Sequence, residues 1–279
     1  MTVHLVTDST SDLTREQAAA LGVSVVPLTV RFGDEEFLDG VDLDSDAFYA
    51  KLQTSSVNPV TSQPTPEQFR SVYASLLESP DDSVVSLHIS SKLSGTLQSA
   101  HVAQQEVDPG RIHLVDTETV SAGLRFVVEA AAQDVASGAD AGAVVRRAEE
   151  RRAGVTIFVL LDTLTYLHRG GRIGRAQALL GSVLGVKPLL TVRDGEVAPQ
   201  ARVRSRRQGV EMITELLQER MPLQRVAAFH CGSPELLPVL AKRLRAALPD
   251  VEIVTGQVGP VVGTYTGPGG VGIGAISAF

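Results

Sequence analysis

Residues Leu87–Ala100 read LHISSKLSGTLQSA, and this stretch indicates the kind of fold to which it belongs. An apolar run ends at Ile89, a turn rich in hydroxyl groups follows, and a helical pattern begins near Gly95. A buried strand that passes directly into a helix is the repeating unit of α/β proteins. The hydroxyl groups could cap the helix or hold an anion at its start, and both interpretations remain open at this point.

The same alternation of short apolar runs and helical patterns extends through the N-terminal half. The strand-like runs are VHLVTD (3–8), VSVVPLTV (23–30), SVVSLHIS (83–90) and RIHLVD (111–116). The helical patterns begin near residues 15 and 95 and cover about 44–53, 66–78, 120–136 and 141–152. This rhythm predicts an N-terminal, mostly parallel sheet with flanking helices on both faces.

Two of these helix starts are written clearly in the sequence. Thr14 precedes Gln17, and Thr65 precedes Gln68, with the spacing of a capping box in which each side chain binds the other residue's backbone N–H. Pro66 stands at the first helical position, where its missing N–H has no consequence. We therefore expect helices to begin directly after both threonines.

The pattern changes beyond about residue 153. VTIFVLL (155–161) and RVAAFHC (225–231) still indicate buried strands, but two strand-like runs flank Asp194-Gly195, a strong signal for a hairpin. We therefore predict two domains, an N-terminal α/β domain of residues 1–152 and a C-terminal α/β domain of residues 153–279 with an antiparallel hairpin. No Pro/Ser-rich linker separates them, so the two halves are expected to pack tightly.

Composition narrows the class of protein. The 279 residues are 43% hydrophobic and 20% charged, without an apolar run of transmembrane length. The absence of a signal-peptide pattern and the single Cys231 predict a cytoplasmic, bacterial-style protein. The net charge of −7 argues against nucleic-acid binding. The histidines and the cysteine do not have the spacing of a zinc site, so no metal site is expected. No GxSxG motif of a serine hydrolase occurs either. We therefore interpret as packed residues Cys231, His88, His113 and His230.

Four segments place hydroxyl residues between a strand end and a helix start. They are residues 7–12, 61–65, 90–96 and 116–123. In a parallel sheet, the first, third and fourth should meet at the carboxyl edge, where such sheets bind ligands. Helix capping alone could account for the hydroxyl residues of any one segment. The presence of four such segments favours a binding site for a carboxylate or phosphate group. Asp8 and Asp12 are interpreted as caps or as acceptors that orient the hydroxyl groups.

Three further stretches carry arginine or glycine in unusual density. Gly170-Gly171 separates Arg169 from Arg172, either aiming these arginines or ending one helix before the next. Arg202, Arg204, Arg206 and Arg207 form either a docking or phosphate-facing surface or a solvated edge. The glycine-rich tail, residues 259–272, is either a backbone wall that closes on a ligand or a turn between two strands.

The segments TDSTSD, TSQPTP, ISSKLSGTLQSA, TLTYLHRGGRI, KPLL and GPVVGTYTGPG, in this order, resemble the DegV family of bacterial fatty-acid-binding proteins. The resemblance extends from Val3 to the C-terminus. It implies a two-domain α/β protein that holds a long-chain fatty acid, with the carboxylate at the domain junction and the tail buried. Some members are carrier subunits that present this carboxylate to an ATP-dependent fatty acid kinase and receive the acyl phosphate.

The resemblance also implies roles for individual residues. Arg172 matches the arginine linked to phosphoryl transfer, and Arg202 and Arg204 fall where a partner-facing surface is expected. Tyr265 stands where the family's last motif usually has histidine, and a phenol donates a hydrogen bond but carries no positive charge near neutral pH. The residues expected around the carboxylate are Thr61, Ser62, Ser94, Gly95, Thr96 and Tyr265.

The sequence therefore favours a lipid-binding carrier rather than an enzyme, with a fatty acid as ligand and no cofactor or metal. Two alternatives stay open. One is a small-molecule enzyme that acts on a phosphorylated or carboxylated metabolite, which predicts a polar cavity. The other is a lipid-sensing regulator that docks through the arginines of residues 202–207.

Overall fold

The computed structural model describes residues 2–180 and 185–278. Its strands are β1 (Val3–Asp8), β2 (Val23–Val26), β3 (Thr29–Phe32), β4 (Glu35–Leu38), β5 (Val60–Ser62), β6 (Ser83–His88), β7 (Ile112–Asp116), β8 (Val155–Leu160), β9 (Lys187–Arg193), β10 (Glu196–Val203), β11 (Leu223–Cys231), β12 (Glu252–Gln257) and β13 (Gly270–Ser277). Its α-helices are α1 (Arg15–Leu21), α2 (Ser45–Thr54), α3 (Pro66–Leu76), α4 (Thr96–Val107), α5 (Ala122–Ala136), α6 (Ala141–Arg152), α7 (Thr165–Arg169), α8 (Arg206–Gln218), α9 (Leu237–Ala247) and α10 (Pro260–Thr266).

The predicted parallel sheet is confirmed. Its order is β2-β1-β6-β7 and all neighbours run parallel, so that Val6 of β1 lies between Ser24 and Ser86. The carboxyl ends of β1, β6 and β7 meet at one edge, as the alternation of strands and helices predicted. The turns that follow these strands therefore lie side by side.

The run VSVVPLTV does not form the single strand that its apolar pattern suggested. It divides at Pro27 into β2 and β3, because proline has no N–H to give to a sheet ladder. The backbone N–H of Leu28 donates to Ser9 Oγ at 3.0 Å instead. Beyond the break, β3 forms an antiparallel sheet in the order β4-β3-β5, which the sequence did not predict.

A six-stranded sheet occupies the second half, in the order β10-β9-β8-β13-β11-β12. Only its β11–β12 pair runs parallel. The predicted hairpin is confirmed as β9 and β10, and Asp194 and Gly195 at its tip have φ values of 51° and 76°. Two positive φ values match the twist of a two-residue hairpin loop.

The interpretation of residues 259–272 as a turn between two strands is wrong. This stretch forms α10 and the start of β13, which lies inside the six-stranded sheet between β8 and β11. The glycines allow close packing: a Cβ on Gly272 would overlap the carbonyl oxygen of Phe158 and lie 2.8 Å from the ring of Phe229. Glycine is placed here by the approach of neighbouring strands.

The helix starts at Thr14 and Thr65 are confirmed as capping boxes, with both reciprocal hydrogen bonds formed. Helix α6 leads from the strands of residues 3–116 to those of residues 155–277. Apolar side chains from both sides pack into one shared cluster, which includes Phe48, Phe126 and Phe229. The division into residues 1–152 and 153–279 stays a prediction. Among the described residues, no helix is both long and apolar enough to cross a membrane.

Candidate functional site

A cavity of about 360 Å³ lies between the carboxyl edge of the parallel sheet and the six-stranded sheet. Its walls are mostly aliphatic. They come from the segments after β2, β6 and β7, from strands β5, β8, β9, β10 and β11, and from α7 and α10. The apolar lining residues include Ile89, Val120, Ile157, Val159, Leu190, Val192, Phe229 and Val261. This volume lies within the usual range for small-molecule sites, and the lining suits an apolar ligand.

Hydroxyl groups from distant parts of the chain meet at one part of this cavity. Thr61 Oγ1 of β5 lies 2.5 Å from the phenol oxygen of Tyr265 in α10. The guanidinium carbon of Arg172 lies 5.4 Å from the centre of the Tyr265 ring. Gly170 packs so closely against the same ring that a Cβ would overlap it. The phenol is therefore held by neighbours at its hydroxyl, its face and its edge.

The turn of residues 90–96, between β6 and α4, supplies a second group of hydroxyl groups. Ser94 Oγ lies 2.8 Å from Thr96 Oγ1 and accepts from the Thr96 backbone N–H at 3.3 Å. Gly95 is the N-cap of α4, and no side chain caps it. The amide of Gln63 covers Gly95 so closely that a Cβ there would overlap it, while its Nε2 donates to Ser99 Oγ at 3.0 Å. Glycine at position 95 therefore lets the Gln63 amide lie directly on the start of α4, and a larger residue there would displace this amide.

A half-buried carboxyl group, that of Asp12, links this region to the start of α10. Asp12 accepts hydrogen bonds from Ser121 Oγ, which lines the cavity, and from the Gly259 backbone N–H at 2.9 Å. Burial raises the pKa of Asp12 to about 7, against the lowering effect of these two hydrogen bonds. Burial also raises the pKa of neighbouring Asp39 well above its usual range. Asp12 thus connects three segments of the chain around the cavity.

Comparison with known proteins identifies the family to which the chain belongs. The family model described as "Uncharacterised protein, DegV family" matches residues 2–278. The chain belongs to the DegV family. A DegV domain-containing protein of Streptomyces coelicolor is 39% identical over 276 residues, which cover 97% of each chain.

Solved DegV structures share the fold of this chain. A fatty-acid-binding DegV family protein from Thermus thermophilus matches with a TM-score of 0.93 and 38% identity over 100% of both chains. DegV from Bacillus subtilis, described as a fatty acid binding protein, matches with a TM-score of 0.91 and 32% identity over 99% of both chains. The α/β fold that the resemblance implied is therefore confirmed along the whole chain.

The structure brings together most, but not all, of the residues expected at the DegV site. Those that line the cavity are Thr61, Ser62, Ser94, Tyr265 and Arg172. Gly95 and Thr96 lie beside it, and the Thr96 hydroxyl faces Ser94. Arg202 and Arg204 are exposed at the end of β10 and do not line the cavity; Arg202 donates to the Ala178 carbonyl at 3.3 Å. Gln63 also lines the cavity, but the sequence did not predict it as a site residue, although it lies within the TSQP motif.

The other arginines of the 202–207 cluster are engaged elsewhere. Arg206 pairs with Asp162 at 2.5 Å and Arg207 pairs with Glu211 at 3.1 Å within α8. The cluster is thus divided, since two of its four members bind carboxylates of the same chain. Arg202 and Arg204 have no carboxylate partner among residues 2–180 and 185–278.

Of the residues interpreted as packed, Cys231, His88 and His230 are buried, whereas His113 is only half-buried. Cys231 is fully enclosed, and burial raises the pKa of its thiol to about 12, which disfavours the nucleophilic thiolate. His88 lies between Ser86 Oγ, 2.7 Å from its Nε2, and Asp8 Oδ2, 3.0 Å from its Nδ1. All three side chains are inaccessible to solvent. Asp8 also accepts from the backbone N–H of Ile89 at 3.0 Å, and this fixes the start of the Ser94 turn.

Proposed function

We propose that the protein binds a long-chain fatty acid, with its carboxylate among the hydroxyl groups of Thr61, Ser94 and Tyr265 and its tail in the aliphatic cavity. The observation that carries this proposal is the division of one cavity into aliphatic walls and a group of hydroxyl donors. A molecule with a single polar head and a long apolar tail matches that division. The fatty-acid-binding relatives from Thermus thermophilus and Bacillus subtilis support the same ligand class.

Burial of the tail supplies most of the binding free energy. A tail of about fourteen methylenes, at about 0.8 kcal/mol each, gives roughly 11 kcal/mol before the cost of ordering the ligand. The carboxylate then needs only positioning, and neutral hydroxyl donors provide this without a buried counter-ion. A head group held in this way can be transferred to another protein more readily than one locked in a buried ion pair.

The proposal includes a partner. Arg172 is exposed beside Tyr265 at the head-group end, and Arg202, also exposed, contacts the short 3₁₀ helix Gly174–Leu179 that follows Arg172. These cations, with Arg204, form a surface on which an ATP-dependent fatty acid kinase could reach the carboxylate. The chain itself then acts as a carrier rather than an enzyme. Because the kinase uses ATP, the proposal places the complex in the cytoplasm.

Of the alternatives, a small-molecule enzyme predicts a polar cavity. The aliphatic lining favours a lipid over a sugar phosphate or a similar metabolite. A lipid-sensing regulator would use the same cavity and differs from the carrier only in the partner it meets. A pull-down separates the two by the protein it captures, because only the carrier should bring down a kinase, and charge reversal at Arg202 and Arg204 should abolish that capture.

Mass spectrometry of the purified, denatured protein tests the ligand directly. We expect a long-chain fatty acid in near-stoichiometric amount, and we expect the Thr61→Ala/Ser94→Ala double variant to retain less of it. The matched control is Ser71→Ala/Thr255→Ala, at two exposed positions away from the cavity. Protein that is purified empty and gains no thermal stability from added fatty acids would contradict the proposal.

A further inference from the structure

A group of carboxyl and hydroxyl side chains lies behind one wall of the cavity, where the carboxyl edge of the parallel sheet meets the start of α10. We call it the acid cluster, and its members are Asp8, Asp12, Asp39 and Ser121. Ser121 lines the cavity and donates to Asp12 Oδ2. A Cβ on Gly259, the residue before α10, would lie 2.7 Å from Asp12 Oδ1 and 3.6 Å from Asp39 Oδ1. The acid cluster is therefore compact, and Ser121 joins it to the cavity.

Negative charge in the acid cluster has little compensation. The charged and titratable groups that face Asp12 are Asp8 of β1, Asp39 after β4, Tyr49 of α2, Arg125 of α5 and Cys231 of β11. Of these, Arg125 alone is positive, and it is paired with Glu129 at 2.7 Å. Asp8 is paired with His88 at 3.0 Å. Because burial raises the pKa of Asp12 to about 7, the charge on Asp12 changes near neutral pH.

The backbone fixes Asp12 and Ser121 in place. Their φ values are 55° and 54°, in a region that non-glycine residues rarely adopt. The N–H of Ser121 donates to the Thr10 carbonyl at 2.8 Å, and the N–H of Asp12 donates to the Ser9 carbonyl at 3.1 Å. Strained backbone of this kind persists where the surrounding structure holds it firmly. The Asp12 carboxyl is therefore held against the Ser121 hydroxyl.

Asp12 also holds two walls of the cavity together. Ser121, the residue before α5, is itself part of one wall. Gly259, whose N–H donates to Asp12 Oδ1 at 2.9 Å, begins the segment that forms α10. Helix α10 supplies Val261 to the apolar lining and the phenol of Tyr265 to the hydroxyl groups. One carboxyl group therefore supports both the tail wall and the proposed head-group site.

We propose that Asp12 is a positioning residue for the lipid, and that the cavity binds a fatty acid together with a proton on Asp12. The inference rests on the proposed function, because its ligand is the same fatty acid. Solvent in the cavity contacts Ser121 and screens a negative charge on Asp12, whereas an aliphatic tail against Ser121 does not. The carboxylate head of the ligand repels that charge as well. The bound lipid therefore favours protonated Asp12.

The same coupling acts in the reverse direction. Because the lipid favours protonated Asp12, a proton on Asp12 favours the lipid by the same free energy. With a pKa of about 7 in the protein without lipid, Asp12 is protonated below pH 7 and loses its proton as the pH rises through 7. The affinity for fatty acid should therefore be highest below pH 7 and should fall above it.

Isothermal titration calorimetry of dodecanoic acid into delipidated protein tests this. Affinity is measured at pH 6 and pH 8, and proton uptake at pH 7.5 in buffers that differ in ionisation enthalpy. Titration of the ligand's own carboxyl is common to all variants, so it cancels in the comparison of wild type with Asp12→Asn. Between these pH values we expect wild type to lose about five- to tenfold more affinity than Asp12→Asn, and to take up about half a proton more per ligand. Asp34→Asn, at an exposed position outside the cavity lining, is the control and should behave like wild type.

Ser121→Ala gives a second signature, which also decides the question if Asp12→Asn does not fold. The Ser121 hydrogen bond lowers the pKa of Asp12, so its loss should move the fall in affinity to higher pH. A purely structural defect would lower the affinity equally at every pH. Equal pH dependence and proton uptake in wild type and Asp12→Asn, or a fall at an unchanged pH in Ser121→Ala, would overturn the inference. If dodecanoic acid does not bind wild type at pH 6, the proposed function fails and the coupling fails with it; if it binds without the linked proton, only the coupling is wrong.

Discussion

The hydroxyl pair of Thr61 and Tyr265 gives a prediction whose size follows from the structure. The two oxygens lie 2.5 Å apart, so one hydroxyl donates to the other in the empty protein. In the fatty acid complex both can donate to the carboxylate. Tyr265→Phe removes one charge-assisted hydrogen bond from the complex, about 1.5–3 kcal/mol, and one neutral hydrogen bond from the empty protein, about 1 kcal/mol. The net loss is about 0.5–2 kcal/mol, or about 2- to 30-fold weaker binding.

The pair also predicts the result of a double-mutant cycle. Thr61→Val should cost the same as Tyr265→Phe, since each variant loses one bond to the ligand and frees the other hydroxyl in the empty protein. The double variant loses both ligand bonds but gives up the internal bond only once. Its loss should therefore exceed the sum of the single losses by about 1 kcal/mol, the free energy of that internal bond.

Displacement of a fluorescent fatty acid from delipidated protein measures these affinities, because the chain contains no tryptophan to serve as an internal probe. Phenylalanine keeps the ring on which Arg172 lies, so the cation–π contact remains. Tyr166→Phe is the matched control, because Tyr166 packs against Gly267 next to α10 but does not line the cavity. Equal losses for a fatty acid and for the primary alcohol of the same length would refute a role of Tyr265 in carboxylate binding, as would an unchanged affinity.

Three other substitutions test the packing and charge around the cavity. Because burial raises the pKa of Asp12 from 3.8 to about 7, its contribution to folding is fully present below about pH 4 and is lost as the pH rises through 7. Asp12→Asn, which has no such loss, should gain thermal stability relative to wild type between pH 5 and 8, and a constant difference in Tm would contradict this. Gly272→Ala should lower the free energy of unfolding by about 1–3 kcal/mol in urea, since its Cβ would overlap the backbone at Phe158, whereas Gly256→Ala, in open space, should cost far less. Val192→Phe adds volume to the cavity wall and should shift the co-purified lipids to shorter chains, as mass spectrometry would detect.

Local signals in the sequence predicted the elements that depend on neighbouring residues. The parallel strands, the capping boxes at Thr14 and Thr65 and the hairpin at Asp194-Gly195 each rest on chemistry within a few positions. Elements that depend on distant partners were missed. Strand β5 has three residues, and β13 gains its place from pairing with β8 and β11 rather than from its own glycine-rich composition.

In the candidate site, too, the sequence predicted the features set by neighbouring residues and missed those set by distant ones. Hydroxyl-rich turns after β6 and β7 predicted a site at the edge of the sheet where the cavity lies, because parallel strands fix where their carboxyl ends meet. Thr61 and Tyr265, however, are 204 positions apart, so no local pattern joins them and only the family resemblance predicts both at one head group. Neither the bond from Asp12 to the N–H of Gly259 nor the contact of Gln63 with Gly95 has a local signature.

The arrangement of Ser86, His88 and Asp8 has a consequence for how hydrolytic sites are recognised. The order of contacts is that of a serine hydrolase triad, at 2.7 Å and 3.0 Å. Here Tyr73 donates to the serine oxygen at 2.9 Å, the aspartate binds backbone, and no substrate can reach the nucleophile. A distance template alone would therefore report an esterase in a protein that uses the same three side chains as internal scaffolding.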